Sequence, residues 1–384
     1  MWDRVRFNTL NLGDEDGTTS IGAELGKLAR IFATVVAVAT MCSSLSVAQA
    51  LPRKLEAKVY KSGLKFPVDL AWAPGTKKLF FTEKATGKIR VLVGRRLLKR
   101  PCTNLDVNAN GERGALGIAL HPRFENNHSL YVYYTNASPL ENRVTRFEVR
   151  RNRCRRPRHV VRGIPSPSTI HQGGQLEFVK GALFVSVGDG GNLSIAQDLQ
   201  SRLGKVLRYK PNGRIPRGNP FSQPGNRSPV WSYGHRNPFG LTHKPRTGVL
   251  LETENGPECD DEVNRIRKGR NYGWGAGYQC GTAGVGPNPK RPLHRWTSPI
   301  APTDPAWYIG PLKALSGAMY VGDFIKEKLR RFNFRPGVGR VRRTRPILQS
   351  PRQITDVTKG PGGCLYWATV ATINRIQRKA TNRC

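Results

Sequence analysis

Acidic side chains are scarce in this chain: 26 Asp and Glu stand against 63 Lys and Arg, a formal net charge of +37 over 384 residues. Such an excess attracts anionic polymers through a field that salt screens. No recognition-helix motif, zinc finger or RNP signature accompanies the basic runs at 95–96, 150–158, 265–270 and 326–345, which argues against specific nucleic-acid readout. Long uninterrupted segments are missing as well. The 41 Gly and 28 Pro break nearly every stretch that could sustain a heptad pattern, so a coiled coil is excluded. Cysteine is sparse, with seven residues, no CxxC pair and no Cys/His cluster at zinc spacing, which disfavours a zinc site. What remains is 38% hydrophobic and 8% aromatic, enough to build a packed core.

One long uncharged apolar run exists, 31–47 (IFATVVAVATMCSSLSV). Lys27 and Arg30 precede it, and Ala48-Gln49-Ala50 closes it with small residues at the two spaced positions a signal peptidase reads. Its unbroken apolar part is short for a membrane span of about 20 residues. Residues 1–50 read as a signal peptide with a long leading segment, the alternative being an uncleaved anchor. Residues 51–384 read as one exported domain, secreted or in the periplasm and cell envelope, without stable membrane insertion. Cys102, Cys154, Cys259, Cys280, Cys364 and Cys384 lie in that part, and an even count in an exported chain suggests three disulfides. Among the possible connectivities the expectation is neighbour pairing, Cys102 with Cys154, Cys259 with Cys280 and Cys364 with Cys384.

One pattern then recurs six times: an apolar strand, a turn with Pro or Gly, a second strand rich in Leu, Tyr, Phe and Val, and a third ending near a basic residue. The copies lie at 69–92, at 116–135 with 143–149, at 173–191 with 204–209, at 239–256, at 316–334 and at 354–378. Repeated short strands with turn residues between them mean antiparallel sheet. Six small sheets set radially make a β-propeller, so the expected fold is all-β: six four-stranded antiparallel blades, with long loops on one face. A β-sandwich is the alternative. Strands such as LYVYY (130–134) lack clean alternation, as blades buried on both faces require.

Unusual polar residues sit at the ends of these apolar strands. They include Glu112-Arg113 within GERGALG, His171 before Gly173-Gly174, Asp189 within GDGG, His235-Arg236-Asn237, and Glu254-Asn255-Gly256-Pro257 followed by Asp260-Asp261-Glu262 and Asn271-Tyr272-Gly273-Trp274. A His before one strand and an Asp after the next can meet at the same end of a blade, as a general base oriented by a carboxylate needs. The glycine pairs also suit tight turns alone. Asp260, Asp261 and Glu262 suit a structural Ca²⁺ or a loop cap. Trp274, Trp296 and Trp307 suit a pocket wall or plain packing.

Taken in order, GERGALGIALHPRFENNHSLYVYYT, HQGGQL, LFVSVGDGG, GKVLRYKPNGRIPRGNPF, WSYGHRNPFGL, ENGP, DDEVNRIRKGRNYGW and TDVTKGPGGCLYW resemble the soluble PQQ-dependent aldose/glucose (glucose/sorbosone) dehydrogenase family, from about Leu64 to the end. The resemblance implies a six-bladed propeller binding pyrroloquinoline quinone (PQQ) and Ca²⁺ on its top face, with a sugar substrate and an external electron acceptor as partners. It implies His171 as general base, Asp189 as its orienting residue, and Arg236 as the charge beside the reduced quinone oxygen. It implies Asn237 as a cofactor contact and the carbonyls of Gly256 and Pro257 as Ca²⁺ ligands. Glu112 stands where cofactor-binding members often have Gln, and would assist Ca²⁺ or bond Arg113. Gln353 and Thr355 stand where arginines pair with the cofactor carboxylates, leaving Lys326 or Arg352 to substitute. A related branch keeps the propeller as a binding protein without dehydrogenase activity. Anionic envelope polymers are a further nonspecific partner expected from the charge.

Overall fold

The chain's architecture is given by a computed structural model that describes residues 51–384; the segment read as a signal peptide lies outside the described residues. After β1 (Leu55–Lys61) the strands fall into six antiparallel sheets set around a ring as a six-bladed β-propeller. Blade 1 holds β2 (Pro67–Trp72), β3 (Lys78–Glu83) and β4 (Lys88–Val93). Its outer position is divided between two short strands, β5 (Arg96–Leu97) and β6 (Thr103–Asn104), which both pair with β4. Blade 2 is β7 (Ala115–Leu120), β8 (Ser129–Asn136), β9 (Glu141–Arg150) and β10 (Arg153–Pro165). Blade 3 is β11 (Leu176–Val179), β12 (Ala182–Val187), β13 (Lys205–Tyr209) and β14 (Val230–Tyr233). Blade 4 is β15 (Pro238–Lys244), β16 (Val249–Glu254), β17 (Asp261–Ile266) and β18 (His294–Trp296). Blade 5 is β19 (Ala306–Tyr308), β20 (Ala318–Gly322), β21 (Lys328–Phe334) and β22 (Val341–Gln349). Blade 6 combines β23 (Ile354–Lys359), β24 (Leu365–Thr369) and β25 (Ile373–Arg378) with β1 as its outer strand.

That last pairing closes the ring. Leu55 lies opposite Arg378 and Val59 opposite Asn374, so the first strand of the fold is held by the last. The Cys364–Cys384 disulfide ties the C-terminus back to the same blade. Cys102–Cys154 and Cys259–Cys280 complete the neighbour pairing expected from the sequence.

β8 shows why alternation is absent. All eight of its residues are buried. Leu130, Val132 and Tyr134 pack with Phe80 and Val91 of blade 1, while Tyr131 and Tyr133 pack with Leu183 and Val185 of blade 3. The period of two is intact, but both faces meet a neighbouring blade, so both are apolar. The repeat at 316–334 begins one strand late: β19, only three residues long, precedes it and carries no turn signal of its own.

In an antiparallel meander, links from second to third strand and from one blade's fourth strand to the next blade's first emerge at the same end. Segments 111–114, 166–175, 188–204, 234–237 and 255–260 are all links of this kind. Segment 267–293, between β17 and β18, reaches the same end alongside β14, where Tyr233 and Asn271 form a parallel bridge.

Candidate active site

His171 and Asp189 lie on consecutive links of blade 3. Gly188 lets the links touch: a Cβ there would lie 2.0 Å from the His171 carbonyl oxygen, so only glycine fits. His171 has φ of 53°, a left-handed conformation costly for a residue with a side chain. Two bonds hold it there. Its N–H donates to Glu112 Oε2 (2.8 Å), and its ring Nδ1 lies 2.6 Å from Asp189 Oδ1. Because the carboxylate can only accept, Nδ1 carries the proton and the lone pair sits on Nε2, which has no protein partner among the described residues.

Asp189 is fully buried. Its N–H donates to the Arg236 carbonyl (2.8 Å), and its oxygens also accept from Gly191 N–H (2.7 Å) and the Trp274 indole Nε1 (2.7 Å). The same indole lies under the Arg236 guanidinium, 5.3 Å from carbon to ring centre. Arg236 donates through Nη1 to the Asn255 carbonyl (2.9 Å), and its backbone N–H bonds Glu254. Its Nε is buried without a partner. Burial pushes the guanidinium pKa down, opposed by Asp189, Glu112, Glu254 and Asp261.

Glu112 joins the two halves. The oxygen that holds His171 N–H also accepts from Asn237 Nδ2 (3.0 Å), whose Oδ1 takes the Gly173 N–H (3.1 Å). The bond to Arg113 expected as one option for Glu112 is replaced: Arg113 donates to Ser166 through Nε (2.9 Å) and Nη2 (2.6 Å). Beneath Asn237, His235 stacks on Tyr272 with ring centres 4.7 Å apart and bonds Glu254 and Ser232.

Gly256 and Pro257 form a tight turn. A Cβ at Gly256 would lie 2.1 Å from the Cys259 carbonyl oxygen. The Gly256 N–H is held by Asp261 Oδ1 (2.9 Å), and Asp261 Oδ2 caps Ile300 and Ala301. Asp260 takes the Tyr278 hydroxyl and the Gly281 N–H. Asp260 and Asp261 thus serve as loop caps. The carbonyl oxygens of Gly256 and Pro257 take no hydrogen bond among the described residues, and suit a hard cation. Trp296 and Trp307 pack against Phe332 and Phe334 in blade 5, away from this group. Lys326 and Arg352 are exposed on links at the same end of the disc, and no described hydrogen bond or ion pair ties either side chain to the His171–Arg236 group.

Two contributors escaped the residue pattern. Trp274 sits in a quoted motif, but its bond to Asp189 spans 85 positions. Lys205 is a charge inside an apolar strand, itself a signal. Its Nζ is buried and donates to the carbonyls of Ile195 (3.0 Å), Ala196 (2.9 Å) and Leu203 (2.6 Å), pinning the link that carries Asp189.

The fold and site define a six-bladed propeller with an oriented imidazole and a half-buried guanidinium at one end. Residues 64–378 match the family described as Glucose / Sorbosone dehydrogenase, and the chain belongs to it. Quinoprotein glucose dehydrogenase B of Acinetobacter calcoaceticus is 34% identical over 267 residues, covering 60% of this chain and 55% of that one. Aldose sugar dehydrogenase YliI of Escherichia coli (strain K12) is 33% identical over 246 residues, covering 62% and 66%. The matches therefore span less than two thirds of these two relatives. The solved PQQ-bound form of aldose sugar dehydrogenase from Streptomyces coelicolor aligns with a TM-score of 0.73 at 29% identity, covering 85% of this chain and 99% of that one.

Proposed function

We propose that the chain is an exported quinoprotein that oxidises an aldose at its anomeric carbon to the lactone and passes the electrons to an external acceptor. The observation that carries this is the His171–Asp189 pair, joined to Arg236 through the Asp189 N–H and to Asn237 through Glu112. Arg236 and Asn237 would hold PQQ with Glu112, Lys326 and Arg352 around them, and the Gly256 and Pro257 carbonyls would hold Ca²⁺. When bound, PQQ accepts the two electrons and the hydrogen leaving the sugar carbon, with Ca²⁺ polarising its carbonyl. His171 Nε2 takes the proton of the anomeric hydroxyl. Asp189 fixes the ring's tautomer and orientation and faces the imidazolium that results. Arg236 would supply positive charge for the reduced quinone oxygen. Three disulfides and the 31–50 segment support export, since such bonds persist in oxidising compartments.

The test is to add PQQ and Ca²⁺ to the purified protein and assay a panel of aldoses with a dye acceptor. A quinone spectrum on the protein and dye reduction are expected, and His171→Ala should lower the rate about 10²–10⁴-fold. No quinone binding and no dye reduction would end this reading.

One observation favours a second reading, a non-catalytic propeller that binds an envelope polysaccharide or a protein. Thr355 is buried and spends its hydroxyl on the Pro67 carbonyl (2.8 Å), so it offers nothing to a cofactor carboxylate. Calorimetry separates the two: PQQ affinity weaker than about millimolar selects the second.

A further inference from the structure

We propose that the axis of the propeller carries a cation site, separate from the Gly256–Pro257 turn, in which Asp69, Asp304 and Asp356 bind Ca²⁺. Asp69 lies on β2 and Asp356 on β23, the innermost strands of blades 1 and 6, and Asp304 stands just ahead of β19 in blade 5. Asp304 and Asp356 form a parallel bridge, and the three are 4%, 8% and 1% exposed. One oxygen from each lies within 4.8 Å of the other two.

Part of this acid has a structural duty. Asp69 accepts from Leu70 N–H (2.7 Å) and Ile118 N–H (2.6 Å), Asp304 Oδ1 from Leu241 N–H (2.9 Å), and Asp356 Oδ2 from Leu70 N–H (3.0 Å). These bonds stitch neighbouring blades together, but they leave Asp356 Oδ1, on a side chain of the cluster, buried and without a hydrogen-bond partner among the described residues. A buried acceptor with no donor costs free energy unless a cation or a proton meets it.

The charge balance points the same way. In a chain of net charge +37, the charged groups acting on Asp304 are the carboxylates of Asp356, Asp69 and Glu177, and the one acting on Asp356 is that of Asp69. Glu177 is itself paired with His243, which lines the same channel.

Coordination chemistry selects the ion. Ca²⁺–oxygen distances of about 2.3–2.6 Å let ligands on opposite sides stand about 5 Å apart, whereas Mg²⁺ at about 2.0–2.1 Å allows only about 4 Å. Three carboxylates held by separate blades suit the flexible coordination sphere of Ca²⁺ better than the near-ideal octahedron that Mg²⁺ demands. Ca²⁺ takes about 6–8 oxygens, so water fills the remaining positions. Water has a route: a cavity of about 650 Å³ runs from the three aspartates past Glu177 and His243 to Pro74, Pro122 and Pro245, the turns at the end of the disc away from His171. Blades 5, 6 and 1 meet here, beside the closure of the ring, so the ion acts as a clasp.

The test needs no turnover and no PQQ. Chelator-stripped protein is dialysed against Ca²⁺ and the bound metal is counted, for the unmodified chain and for Asp304→Asn/Asp356→Asn. The unmodified chain should hold one more Ca²⁺ per molecule than the variant and gain more in melting temperature on Ca²⁺ addition. Equal stoichiometry in two folded proteins overturns the proposal, and leaves a proton shared by Asp304 and Asp356 as the solution. Should the variant fail to fold, crystals of the unmodified chain soaked in Tb³⁺ decide. An anomalous peak among the three carboxylates supports the site, and its absence there overturns it.

Discussion

Trp274 donates its indole proton to Asp189 over 2.7 Å, while Asp189's other oxygen receives the imidazole of His171. An aromatic residue from the blade 4 insertion thereby orients a base on blade 3, and the same ring carries Arg236 on its face.

Trp274→Phe keeps most of the packing and removes the donor. Groups that orient a reacting residue typically contribute about 10–100-fold. The expected outcome is a fall of that size in kcat/KM for aldose oxidation, with PQQ affinity little changed. Steady-state kinetics beside calorimetry checks it.

Asp189→Asn has a larger effect. An Asn amide facing Nδ1 donates to it and forces the ring proton onto Nε2, removing the base. The rate should fall about 10³–10⁴-fold while thermal stability changes little, by analogy with the wrong-tautomer effect in serine proteases. Kinetics and a melting curve measured together test both halves.

Lys205→Met removes a donor from three carbonyls; those of Ile195 and Ala196 keep the Asp198 and Gly234 N–H donors, and that of Leu203 is left without one among the described residues. A buried unsatisfied acceptor costs about 1–3 kcal/mol, and a loss of that size is expected. Because 188–204 carries Asp189, proteolysis of that link should rise before global unfolding, which limited trypsin digestion reads.

Acidification should act through His294. Its ring packs edge-on against Trp296 and Phe332, and burial, then Arg330, lowers its pKa to about 4. Unfolded, it gains a proton near 6.5, so the unfolded chain binds more protons between those values. The stability it contributes is present above pH 6.5 and lost as pH falls towards 4. His294→Phe should flatten that part of the curve, seen in melting temperatures across the window.

Cys364 and Cys384, changed together to Ser, release the end of the closing blade. A loop of this length is worth about 3 kcal/mol in the chain-entropy picture. The melting temperature should drop by several degrees, and exchange of β1 and β25 amides with solvent should quicken first.

Much of this was legible in one dimension. The six strand groups are written as apolar runs between Gly and Pro, because a strand buried on both faces needs apolar residues at every position, as β8 has. The neighbour pairing of cysteines was legible because each pair closes a local excursion of 20, 21 or 52 residues. His171, Asp189, Arg236 and Asn237 stood out as polar groups at strand ends. β19 did not, since three residues carry too little pattern, and neither did the split outer position of blade 1.

The sequence by itself determined the number of blades and which polar residues lie at the strand ends, because burial on a pleated sheet is a local constraint that each strand must satisfy. Only the tertiary structure decided that Glu112 grips His171 and Asn237 rather than Arg113, that Trp274 reaches Asp189, and that three aspartates from blades 1, 5 and 6 converge on the axis. Those contacts join residues tens to hundreds of positions apart, and their partners are chosen by how the closed ring sets its loops and inner strands against one another.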